Sequence, residues 1–163
     1  IPARKCSLTK QVKWVISNAY GNGLVTDGGL TMKGDGRSYC CRVGWCCFES
    51  GIHTWKVQLR ESKRMLSLFS CNNPSVEVGI IDHDEINTDM KKSKRKWVLN
   101  RSVHVIGSDV VSVTLDMERK MLSVWLQSNC NGPADVENFH FTSHKVLPFF
   151  ACNMSNESIS IVE

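Results

Sequence analysis

The chain has no run approaching the roughly 18–20 uninterrupted apolar residues that a membrane-spanning helix needs. Its opening residues, Ile1 to Lys13, lack the apolar centre of a signal peptide. Sustained helical periodicity is scarce, which argues against a helical bundle or coiled coil. No C-x2-C pair occurs among the eight cysteines, so the usual zinc-site spacing is missing. No glycine-rich loop precedes a helix to cradle phosphate, and no nucleophile elbow or preorganised base marks a hydrolase. Enzymatic activity is therefore not expected, and no cofactor or metal is implied. Disorder is excluded too, because 42% of the residues are hydrophobic and only 22% are charged.

What the chain does have is length for one core: 163 residues fit a single domain spanning 1–163. Ile1 in the place of an initiator Met reads as the start of a fragment of a longer protein. Twenty Lys and Arg against sixteen Asp and Glu leave +4, too mild a balance to imply nucleic acid by composition. Cysteine density is low for a disulfide scaffold, so reduced thiols and a cytoplasmic protein, with the nucleus as the other option, are expected. The sequons at Asn100, Asn153 and Asn156 point weakly toward secretion.

Period-two alternation runs through the sequence. Trp55, Val57 and Leu59 share one strand face while Thr54, Lys56 and Gln58 take the other. Val76, Val78 and Ile80 repeat the pattern. Val111, Val113 and Leu115, then a polar stretch from Asp116 to Lys120, then Leu122, Val124 and Leu126 read as a hairpin. Leu30 with Met32 and Ile159 with Ile161 bring both ends of the chain into sheets. Turn-prone segments at Asn18–Gly29, Gly34–Gly36, Asn72–Pro74 and Asn129–Pro133 separate the strands. Many short strands spaced this way predict an all-β protein of two facing antiparallel sheets. The longest interruption, Asp82 to Lys96, is charged and without strand pattern, and long loops in compact domains tend to carry function.

Five segments, in order, resemble the SPRY domain, called B30.2 when its N-terminal extension is included. Ser50-Gly51-Ile52-His53-Thr54-Trp55-Lys56-Val57 is similar to one family strand and Val76-Glu77-Val78-Gly79-Ile80-Ile81 to another. Gly107 to Asp116, Leu122-Ser123-Val124-Trp125 and Val146-Leu147-Pro148-Phe149 match further motifs, whereas the first 49 residues match poorly. The resemblance implies a bent antiparallel β-sandwich of concanavalin-like jelly-roll architecture that binds a protein or peptide through loops at one end. It also implies substrate recognition for a ubiquitin ligase or its adaptor, the catalytic module lying elsewhere. Two positions depart from the pattern: Glu77 stands where an aromatic is usual, and Lys120 where a turn glycine is common. Lys120 predicts either a wider turn or about 1 kcal/mol of strain at positive φ.

The resemblance places Asp82, His83 and Asp84 at the binding edge, where carboxylates and a histidine could receive a basic or amide-rich peptide; the plain alternative is a solvated acidic turn. Trp97 is either a rigid anchor for a partner or a packing residue. Asn153 and Asn156 lie in a second rim segment, with a polar hairpin turn as the alternative, and Tyr20 and Asn22 would complete the rim. Asp82, His83 and Trp97 replaced together are expected to abolish partner capture and keep thermal stability. The run Lys91-Lys92-Ser93-Lys94-Arg95-Lys96 carries five basic residues in six positions. It reads first as a solvated loop, then as an attractor for an acidic partner, a phosphate contact or a nuclear address. Cys40-Cys41 and Cys46-Cys47 near His53 invite a zinc reading, but adjacent strand residues point to opposite faces and cannot share one metal. Rival functions are a lectin-like glycan-binding sandwich and a basic-loop nucleic-acid adaptor.

Overall fold

A computed structural model describes residues 14–16, 24–26, 31–33, 39–44, 46–60, 75–86, 88–102, 108–127, 135–153 and 158–162. Among these, alternation is realised as strands β1 (Trp14–Ile16), β2 (Leu24–Thr26), β3 (Thr31–Lys33), β4 (Cys40–Gly44), β5 (Ile52–Arg60) and β6 (Ser75–Asp82). A turn of 3-10 helix, His83–Glu85, then leads toward β7 (Lys96–Ser102), β8 (Ser108–Asp116), β9 (Met121–Gln127), β10 (Asp135–His140), β11 (Val146–Asn153) and β12 (Ser158–Val162). The strands form a five-stranded sheet, β1-β4-β11-β6-β7, and a seven-stranded sheet, β10-β9-β8-β5-β12-β3-β2. Every described pairing is antiparallel. The expected β-sandwich is the observed architecture.

Its main core lies between the sheets. Trp55, Val57 and Leu59 of β5 and Val111, Val113 and Leu115 of β8 meet Val76, Val78 and Ile80 of β6 and Phe150 of β11. Each large side chain taken fully from water here contributes about 1.5–3 kcal/mol. The five-stranded sheet is buried on its other face as well, where Tyr39, Cys41, Val43, Ile81, Leu147 and Phe149 form a second cluster. That is why Val146 to Cys152 reads as a nearly unbroken apolar run: a strand covered on both faces needs no polar alternate. Cys40 joins the first cluster and Cys41 the second, the opposite-face geometry expected of neighbours in a strand.

The hairpin read from the sequence joins β8 to β9, with Asp116 opposite Met121. Asp116 Oδ1 accepts from the amides of Glu118 and Arg119, each at 3.0 Å, which shapes the turn. Lys120 takes φ 55°, so the departure is met by strain and not by a wider loop. Tertiary contacts hold it there: Lys120 Nζ donates to the carbonyl of Ser143 at 2.9 Å and lies 5.7 Å from the centroid of the Phe141 ring.

Candidate functional site

The loop between β6 and β7 begins where β6 runs out of sheet. Asp82 has the parity of Val76, Val78 and Ile80, so its side chain turns inward with theirs, and it is only 3% exposed. Its Oδ1 accepts from the amide of Asp84 at 2.8 Å, capping the 3-10 turn. Its Oδ2 accepts from Arg95 Nη2 at 2.6 Å and from the Ser143 hydroxyl. The Asp82 amide donates to the carbonyl of Arg95 at 2.9 Å, and the His83 amide to that of Lys145 at 2.9 Å. One buried carboxylate thus joins both ends of the loop to the 141–145 segment. That segment is fixed in turn by the mutual Phe48–Val146 backbone bonds, at 2.8 and 3.0 Å.

The middle of the loop is anchored by apolar burial. Met90 is fully buried in the second cluster, with Ile86 packed against it, so the loop covers the outer face of the five-stranded sheet. Lys96 is drawn into the same face: its ammonium meets Glu77 Oε1 at 2.8 Å and the carbonyls of Met90 and Lys91 at 3.1 and 3.2 Å. All three ammonium protons therefore have acceptors, as burial requires. Tyr39 Oη donates to Glu77 Oε2 at 2.6 Å. Burial, and then the Glu77 carboxylate, push the Tyr39 phenol far above its ordinary range. The second departure from the family pattern, Glu77, is thus matched by Lys96 and Tyr39.

What this framework leaves outside is a short polar rim. Asp84 is exposed and His83 partly so, with Nδ1 of His83 3.5 Å from Asp84 Oδ1. Thr142 and His144 are exposed beside them on the 141–145 segment, and Lys145 pairs with Glu49 at 3.5 Å. Farther along the loop Lys91, Lys92 and Lys94 point into solvent. Cys46 and Cys47 are half-buried, and burial raises the Cys47 thiol despite the opposing charge of Lys145. Among the described residues no group of His, Cys, Asp and Glu is placed to hold a metal ion.

His83 and Asp84 therefore lie together on the rim, while Asp82 is turned away from it as the internal clamp. Trp97 is half-buried against the main core, its ring 5.6 Å from that of Phe141, so most of it serves packing. Stability is then not expected to survive replacement of Asp82 and Trp97, contrary to the triple-variant expectation. Asn153 ends β11, opposite Ser75. Asn156, Tyr20 and Asn22 lie outside the described residues. Sequence reasoning missed Met90, the Glu77–Lys96–Tyr39 set and the 141–145 segment. The parity of residues 76 to 82 was a usable signal for the inward turn of Asp82; a lone Met in a charged loop gave none.

No protein-family model matches this sequence, and no curated protein matches it. Solved structures do. The SPRY domain of human HERC1 superposes with a TM-score of 0.59 at 14% identity, covering 86% of this chain and 92% of that one. The PSpry domain of TRIM65 gives 0.58 at 11% identity, covering 94% and 92%. Stonustoxin also gives 0.58, at 13% identity over 93% of this chain but only 27% of its own. At such identities the likeness concerns architecture. Two antiparallel sheets in this order, matched across most of the chain by SPRY domains, make this a SPRY-type β-sandwich.

Proposed function

We propose that this chain is a non-catalytic module that binds a protein or peptide at the rim formed by the β6–β7 loop and the 141–145 segment. One observation carries the reading: a loop of exposed polar side chains is held to the sandwich by a buried carboxylate at its ends and a buried Met at its middle. A loop ordered in this way loses little entropy on binding, so its exposed side chains act as fixed contacts. Among the described residues no helix is long and apolar enough to cross a membrane. The low cysteine density read in the sequence supports a cytoplasmic or nuclear setting. The resemblance read in the sequence supports the finer role, substrate selection for a ubiquitin ligase or its adaptor.

The test is affinity capture from cell lysate with the native chain and with His83→Ala/Asp84→Ala/Lys145→Ala, all exposed or partly exposed positions. The reading expects the proteins retained by the native chain to be lost from the variant while both melt at the same temperature. An unchanged set of captured proteins would overturn it.

A further inference from the structure

The two charged halves of the β6–β7 loop are not equally available. On the acidic half, Asp82 is enclosed by Arg95, Ser143 and the Asp84 amide. Glu85 Oε2 accepts from the Thr88 hydroxyl at 2.9 Å, and Asp89 Oδ1 takes the Lys92 amide at 3.4 Å. Asp84 stands beside His83. On the basic half, Lys96 is buried and Arg95 spends one nitrogen on Asp82, but Lys91, Lys92 and Lys94 remain exposed. Among the described residues, Lys92 and Lys94 have no acidic partner. The backbone carrying them is ordered: the Lys92 amide donates to the Asp89 carbonyl at 3.1 Å, the Arg95 amide to Ser93 Oγ at 3.2 Å, and Met90 is packed beneath.

We infer that the segment recognised at this rim is acidic: a peptide rich in Asp and Glu docks along the ridge of Lys91, Lys92 and Lys94. This deepens the proposed function and rests on it. Charge complementarity selects the class of partner, because three exposed lysines on a fixed ribbon, two of them without an acidic partner among the described residues, favour carboxylates and steer their approach. Carboxylates fit better than nucleic acid because, among the described residues, no fully exposed aromatic ring lies in the loop for base stacking. Tyr39, 5.3 Å below the Lys91 ammonium, is buried, and Trp97 is half-buried with its ring packed against Phe141.

Fluorescence anisotropy of the full chain with three labelled probes tests this: a Glu-rich peptide, a Lys-rich peptide of equal length, and an oligothymidylate of matching charge. The Glu-rich peptide is expected to bind, to weaken with added salt, and to lose about tenfold or more in affinity in Lys91→Glu/Lys92→Glu/Lys94→Glu, with a smaller loss in the triple alanine variant. The exposed positions allow the melting temperature to stay unchanged. Tighter binding of the oligothymidylate, or no binding of the Glu-rich peptide, overturns the inference. So does preference for the Lys-rich peptide with loss in Asp84→Asn/Glu85→Gln, although the rim then still binds peptides. If captured lysate proteins are indifferent to every substitution on both halves of the loop, the proposed function falls as well.

Discussion

Removing the Asp82 carboxylate would leave the Ser143 hydroxyl and the Asp84 amide without their acceptor and release Arg95. A lost cap and a stranded buried hydroxyl together cost about 2 kcal/mol. Asp82→Ala is accordingly expected to lower the melting temperature and weaken partner capture together, whereas His83→Ala should affect capture alone. Gly79 is a second sensitive position, since a methyl there would fall on the Trp97 carbonyl oxygen and 2.9 Å from Val98 Cα. Both are backbone atoms of a paired strand, so Gly79→Ala should destabilise by several kcal/mol, visible in the urea midpoint. Tyr39 links stability to alkaline pH. Its phenol is raised above the ordinary 10.0, first by burial and then by Glu77, so the folded chain holds that proton more tightly than the unfolded one. The resulting stability is complete below pH 10 and is lost as pH rises beyond it. Urea melts from about pH 9 to about pH 11 should show this decline, and Tyr39→Phe should flatten it.

The β8–β9 hairpin isolates the balance between local strain and tertiary contact. Lys120→Ala keeps the positive φ and loses both the bond to Ser143 and the contact with Phe141, whereas Lys120→Gly loses the contacts but relieves the strain. The glycine variant is expected to be more stable than the alanine variant by about 1 kcal/mol in chemical denaturation. Elements with one buried face were the legible ones: β5, β8 and β9 show their period-two pattern because their other face is polar and more exposed, and β6 shows it over residues 76–80 because Glu77 and Gly79 take its outer face. β4 and β11 were less legible, because burial on both faces erases alternation. The β6–β7 loop was visible as an interruption, but its anchoring was not. The inward turn of Asp82 follows the parity of β6, but the burial of Met90 depends on the outer face that the five-stranded sheet presents, which no local pattern encodes.

For the whole molecule, strand order separates neighbours in space from neighbours in sequence. β11 lies between β4 and β6, and β12 between β5 and β3, so the inner strands that complete both sheets come from residues 146–162. A chain cut after residue 157 should therefore lose the junction between β5 and the β2–β3 pair. It is expected to show no cooperative thermal transition, with new dye binding at exposed apolar surface. The same arrangement bears on synthesis. While a ribosome is still translating residues 146–162, β3, β4, β5 and β6 each wait with an open ladder of amides and carbonyls and no partner to fill it. The nascent polypeptide must be shielded from its own kind until the end of this segment clears the exit tunnel, and stalling just before that point should yield aggregates or chaperone-bound chains in place of the native sandwich.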